Sequence, residues 1–254
     1  MESKISETAH KNHEFLWPGY QSRAGATDPE LIQVFDNFAF DEILRHGSLD
    51  AKTRVTMIMA STIGSGSVSE YKMMVNAALN VGVTPVEVKE VLYQAVPYCG
   101  INKVIDFIYT TNEIFKERGI TIPLEGQATT SPADRFEKGV VKQKEIVGSE
   151  TVDNMYKNSP EDLMHIQRYL SANCFGDYVT RDGLDVKQRE LVTLSFLIAL
   201  GGTEPQMKGH ITANANVGND RQTLIDLITQ LLPYVGYPRT LNAINCLNEV
   251  LPAK

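Results

Sequence analysis

Cysteine is scarce in this chain: Cys99, Cys174 and Cys246 are its only thiols, an odd number set far apart. Such a set supplies no disulfide framework and suits a reducing compartment. The opening segment MESKISETAHKNHEF has no apolar core of the kind a secretory signal needs, so a cytoplasmic protein is expected. Blocks of Lys and Arg are also missing, and the formal net charge is −7. Neither nucleic acid nor an acidic membrane surface is therefore expected as the main partner. Long hydrophobic runs are missing too. The most apolar stretch, LVTLSFLIALGG, is roughly half of the ~18–20 residues a membrane span requires and includes hydroxyl residues. No segment alternates apolar and polar residues between turn signals, so no strand is predicted. What is left is a chain of 254 residues, 43% of them hydrophobic, which can fill two ordinary cores or one large one.

The chain also repeats itself. QAVPYCGINKVIDFI begins at Gln94 and QLLPYVGYPRTLNAI at Gln230, 136 positions later (230 − 94). Upstream of the first phrase, Val88, Val91, Leu92, Ala95 and Val96 form the stripe of an amphipathic helix, and Leu224, Leu227, Ile228, Leu231 and Leu232 repeat it. GSLDAKTR, ending at Arg54, matches DGLDVKQR, ending at Arg189, at an offset of 135 (189 − 54). The single-residue change falls most simply in the glycine loop written IGSGSVSE in one copy and ALGGTEPQ in the other, where a surface connection tolerates it.

Helix signals run through both copies. TPVEV at Thr84 reads as a capping box; SPEDL at Ser159, DPEL at Asp28 and Thr203 in GGTEPQ read as further helix starts. Gly82, Gly100, Gly119, Gly218 and Gly236 follow apolar-periodic runs, where a helix end favours a left-handed residue. The fold class is all-α, a duplicated helical unit. Residues 1–121 form the first unit, the Pro/Gly/Thr/Ser-rich segment 122–134 a linker, and residues 135–254 the second unit. ADRFEKGVVKQKEIVG is an additional lead-in helix of the second unit, whereas LWPGYQSRAGATDPE near the chain start reads as irregular.

FEKGVVKQKEIVGSETVDNMY, followed by the stretch from YVTRDGLDVKQRELV to LNAINCLNEV, resembles the carboxymuconolactone decarboxylase family over its whole length. The elements that carry the likeness are Leu-Asp-x-x-x-Arg, a helix with Gly-His followed by a glycine, and Tyr-x-Gly-x-Pro near the end. The first copy resembles it more weakly. The resemblance implies small helical units in a six-unit ring, hence a homotrimer for a tandem chain. An alkylhydroperoxidase D-like branch of these proteins uses a Cys-x-x-Cys pair four residues before the histidine. Here Thr203 and Gln206 precede His210, and Ser67 and Glu70 stand in the first copy, so thiol peroxidase chemistry is excluded. The three cysteines read as small buried residues.

The resemblance leaves a carboxy-lyase acting on a small carboxylated lactone or related keto acid by acid–base chemistry, with no cofactor and no metal. Such a site needs a cation for a carboxylate or developing oxyanion and a group that returns a proton to carbon. His210 occupies the family histidine position, and a side chain with an ordinary pKa near about 6.5 suits proton return. Glu204, six residues earlier, orients it only if the loop folds back, because i and i+6 lie on different helix faces. Arg189 and Arg181 are the candidate substrate cations. Each has a structural alternative: His210 as a core histidine, Arg189 and its match Arg54 as an ion pair needed twice, Arg181 as a turn residue, Glu204 as a helix-dipole partner. Asn214 and Asn216 line a pocket or face water, and Tyr98 and Tyr234 read as packing residues. Met74 stands where His210 would fall in the first copy, so at most one such site per chain is expected. A helical oligomer serving as a binding or assembly module is the competing function.

Overall fold

A computed structural model describes residues 5–253, and among them there is no β-strand. The first unit comprises α1 (Glu7–Leu16), α2 (Arg23–Thr27), α3 (Pro29–Asn37), α4 (Ala51–Ser65), α5 (Val68–Asn80), α6 (Pro85–Cys99) and α7 (Ile101–Glu117). The second comprises α8 (Arg135–Val147), α9 (Ser149–Asn158), α10 (Met164–Tyr169), α11 (Val186–Leu200), α12 (Glu204–Asn216), α13 (Arg221–Val235) and α14 (Tyr237–Val250). A π-helical segment precedes the Leu-Asp phrase in each: Phe38–Glu42 after α3 and Leu170–Val179 after α10. The lead-in helix of the second unit has a counterpart after all, since α1 packs on the first π-helical segment as α8 packs on the second. Within LWPGYQSRAGATDPE the short α2 interrupts the irregular chain.

The repeated Leu-Asp phrase has a local cause. Asp50 accepts a hydrogen bond from the Thr53 amide at 2.9 Å and Asp185 one from the Gln188 amide at 2.8 Å, so each aspartate caps the helix that follows. The capping box at Thr84 forms as the sequence predicts, with Glu87 returning to the Thr84 amide at 2.7 Å. Ser159, by contrast, ends α9 and caps nothing, and neither Asp28 nor Thr203 makes a side-chain cap bond. Thr203 instead donates to the Leu197 carbonyl at 2.8 Å, folding the glycine loop back on α11. All five helix-ending glycines have positive φ; Gly100 (80°) and Gly236 (78°) turn the chain between successive helices where a Cβ would be strained.

The two units share one core. α4 and α11 cross at its centre, and a Cβ on Gly64 would lie 2.8 Å from the Cβ of Ala199. Gly64 and Ala199 are equivalent residues at the repeat offset of 135 (199 − 64), so the contact is self-complementary, as across a two-fold axis. α6 of the first unit packs on α11, and α13 of the second packs on α4. Every residue of α11 from Arg189 to Ala199 is buried. The apolarity of this helix is satisfied inside a single chain, so it gives no reason by itself for a partner subunit. No helix among the described residues is long and apolar enough to cross a membrane.

Candidate active site

The centre of interest forms where α12 lies along α11. His210 Nδ1 stands 2.7 Å from Glu190 Oε2. Glu190 is fully buried, whereas His210 keeps 16% of its side chain exposed, so the pair joins the interior to the surface. With Nδ1 engaged by Glu190, Nε2 is the ring nitrogen left to face a ligand. The second oxygen, Glu190 Oε1, is buried without a hydrogen-bond partner. An incompletely satisfied carboxylate in the core costs stability rather than adding to it.

Surrounding groups fix this pair. Asn214, fully buried, donates to the His210 carbonyl at 2.8 Å and to the Glu190 carbonyl at 3.1 Å, and its own carbonyl accepts from Asn219 at 2.8 Å. It therefore neither lines a pocket nor faces water; it ties α12 to α11 beside the pair. Asn216 donates to the Ile146 carbonyl at 3.0 Å and holds α8. From the first unit, Tyr98 meets the His210 ring edge-on at 5.4 Å and also packs on Phe196. Its hydroxyl accepts from Cys174 Sγ at 3.8 Å, within the second π-helical segment. Burial above all raises the Tyr98 pKa well above its ordinary value, and its neighbours Cys174 and Glu190 add to the effect, so the phenol stays neutral. Burial likewise pushes the Cys174 thiol up to about 12 and the Cys99 thiol to about 11, so neither serves as a thiolate nucleophile.

The other sequence-derived candidates lie elsewhere. Glu204 accepts from Asn242 at 3.1 Å, and no hydrogen bond among the described residues joins it to His210. At i and i+6 the two point from different faces of α12, and the histidine's partner comes from α11 instead. Arg189 is 1% exposed and cannot meet a substrate. Its guanidinium binds Glu90 at 3.0 Å, Gln94 at 3.0 Å, and the carbonyls of Arg181 and Asp182 at 2.7 and 3.0 Å. Glu90 also holds Arg181 through two nitrogens at 2.9–3.1 Å, so one buried carboxylate from α6 locks two arginines of the second unit. Arg181 also stacks over Tyr93, 5.1 Å from the ring centroid, and no hydrogen bond among the described residues joins it to His210. The expected second copy of the arginine ion pair is absent: Arg54 makes no ion pair among the described residues and has Tyr234 and Asp50 for electrostatic neighbours. Among the described residues no cluster of three or more His, Cys, Asp or Glu is placed to hold a metal.

Glu190 is the residue that sequence reasoning missed. A signal for it existed, because at the repeat offsets Glu190 corresponds to Val55 as His210 corresponds to Met74. Both Val55 and Met74 are buried, so the polar pair and its apolar replacement change together.

The profile of the carboxymuconolactone decarboxylase family matches residues 29–108 and 165–249, together more than half of the chain. The chain belongs to this family. Its tandem match fits the duplicated helical unit. The 4-carboxymuconolactone decarboxylase of Acinetobacter baylyi is 29% identical over 116 residues, 46% of this chain and 86% of that protein. The nitrosuccinic acid decarboxylase npaB of Metarhizium robertsii is 27% identical over 109 residues, 43% of this chain and 76% of its own length. A crystal structure of a Burkholderia xenovorans protein, provisionally described as a gamma-carboxymuconolactone decarboxylase subunit, superposes with a TM-score of 0.55 at 20% identity. That superposition covers 95% of this chain and 96% of the other, so the shared fold extends through both units.

Proposed function

We propose that this protein is a carboxy-lyase acting on a small carboxylated lactone or a related activated acid, with His210 as the proton-transfer group and Glu190, rather than Glu204, as its positioning carboxylate. The observation that carries this reading is the 2.7 Å contact between His210 Nδ1 and a fully buried Glu190 whose other oxygen has no partner. The first unit replaces the pair by Val55 and Met74 and still folds on the same plan, so the fold does not require it.

The chemistry is compact. As the carbon–carboxylate bond breaks, CO2 departs and the electron pair moves into an adjacent carbonyl or nitro group. The imidazolium Nε2–H then delivers its proton to the carbon that lost the carboxylate. Glu190 holds the ring in the tautomer that presents Nε2 and stabilises the charged imidazolium, and the neutral Tyr98 and Cys174 cannot divert the reaction into nucleophilic catalysis. No cofactor is needed where the substrate carries its own electron sink. The names of both relatives, decarboxylases of 4-carboxymuconolactone and of nitrosuccinic acid, support this class. Three free thiols, Cys174 and Cys246 buried and Cys99 half-buried, support a cytoplasmic setting as part of the same proposal.

The test is CO2 release from purified protein presented with 4-carboxymuconolactone and nitrosuccinate. Removing a proton-transfer group costs ~10²–10⁴-fold in rate, so His210→Gln is expected to lose turnover to that extent while its helical spectrum and melting are retained. Full activity in His210→Gln, or no turnover of any such acid by the native chain, would favour the competing reading of a non-catalytic helical assembly.

A further inference from the structure

A cavity of about 480 Å³ lies between the first unit and the linker, lined by none of Glu190, His210 or Tyr98. Its walls come from α6 and α7, its cover is the linker at residues 122–127, and Arg181 of the second unit closes one side. The cover is fixed: the Asp182 amide donates to the Gln127 carbonyl at 3.0 Å, and the Thr129 hydroxyl donates to the Thr180 carbonyl at 2.8 Å.

Two cations, Lys89 and Arg181, and two carboxylates, Glu90 and Glu125, face this space, but they are unevenly paired. Lys89 is buried, at 8% exposure, and its Nζ has Asn112 Oδ1 at 2.5 Å and the Phe115 ring at 5.5 Å, but no carboxylate within 4.0 Å among the described residues. An ammonium has three donors, and one neutral acceptor leaves it under-satisfied. The buried carboxylate of the lining, Glu90, is already taken by Arg181 and Arg189. Glu125 stands on the exposed linker. The fold has no need of the lysine, because the second unit carries Ile225 at the equivalent place, 136 positions on (225 − 89). Burial lowers the Lys89 pKa, as expected of a cation that has no anion beside it among the described residues. The remaining wall is apolar, with Tyr93, Ile108 and Leu124.

We infer that this cavity is a second ligand site that takes a small organic acid, its carboxylate on Lys89 with Arg181 as the further cation, its apolar body against Tyr93, Ile108 and Leu124. The inference does not depend on the proposed chemistry at His210.

Isothermal titration of the full chain tests it, with adipate and benzoate as probes and adipamide and benzamide as their uncharged counterparts. At least one of the two acids should bind saturably near one per chain and at least about tenfold more tightly than its amide. Lys89→Met should weaken that binding at least about tenfold, Ile108→Trp should abolish it by filling the space, and His210→Gln should leave it unchanged. Should Lys89→Met fail to fold, Lys89→Gln replaces it. The inference is overturned if neither acid binds saturably at millimolar concentration, or if binding survives both cavity variants, or if it disappears in His210→Gln.

Discussion

A buried carboxylate with an unpartnered oxygen makes stability and activity respond with opposite signs, and Glu190 is where that opposition is sharpest. In Glu190→Gln the side chain keeps its shape and can still accept from His210 Nδ1, so stability should move by less than about 1 kcal/mol, but the charge that supports an imidazolium is gone and turnover should fall ~10²–10³-fold. In the double variant Glu190→Met/His210→Met, the orphaned Oε1 and the desolvated charge are removed together at nearly constant volume. Leaving a buried polar atom unsatisfied costs roughly 1–3 kcal/mol, and that is the stabilisation expected. At about 2–4 °C per kcal/mol for a chain of this size, the melting temperature should rise by about 2–12 °C. Urea unfolding read by circular dichroism, alongside CO2 release, supplies both numbers. If the double variant is destabilised by several kcal/mol, or if Glu190→Gln keeps native turnover, the pair is a structural tie and the catalytic reading fails.

Three further outcomes are expected. Glu90→Gln strips the common partner from Arg189 and Arg181, and because Glu90 and Arg189 are both 1% exposed the loss should be about 3–5 kcal/mol, whereas Glu7→Gln, whose pair with Lys11 is fully in solvent, should cost less than about 0.5 kcal/mol in the same urea titration. Lys138 and the Ser131 amide hold the Asp134 carboxyl down to about 2, and the Thr223 amide lowers that of Asp220. The folded pKa lies below the unfolded 3.8, so this stabilisation is present above pH 3.8 and is lost as pH falls towards about 2; Asp134→Asn should flatten the acid limb of a stability–pH curve in that window. The homotrimer implied by the family resemblance should appear in light scattering as about three times 28.2 kDa, and a monodisperse monomer at micromolar concentration would remove it.

The fold was legible because its causes are local. Apolar stripes of helical period, glycines with positive φ at helix ends and the Thr84 capping box all act within a few residues, so the all-α class and the duplication could be read from the chain. The caps were read less well for the same reason that the site was. Ser159 looks like a helix start by spacing, yet the Pro160 that follows it opens only a short 3-10 turn, while the caps made by Asp50 and Asp185 sit inside the repeated phrase itself. Nothing local in the sequence marks Glu190, and only the packing of five helices around α11 makes it a core residue. Glu204 was favoured as a neighbour in sequence, whereas the histidine's true neighbour is 20 residues away on another helix.

The duplication also explains why polar machinery gathers on one side of the pseudo-two-fold. Where α6 meets α11, Glu90 locks two arginines, and on the other faces of α11 Glu190 holds His210 with Tyr98 of α6 above it. Where α13 meets the first unit, the equivalent contacts are gentler: Asp226 accepts from the Ser48 amide at 2.7 Å, and Gln230 donates to the Ile43 and His46 carbonyls at 3.2 and 3.0 Å. There Arg54 makes no ion pair among the described residues, and Val55 and Met74 fill the interior. In a homo-oligomer of single units every copy must carry both the strain of a buried charge and the packing that offsets it. A tandem chain is free of that constraint, because a substitution in one half leaves the other untouched. The expected consequence is an unequal division, in which the apolar half contributes folding free energy and the half with Glu190 and His210 bears the stability cost of the site.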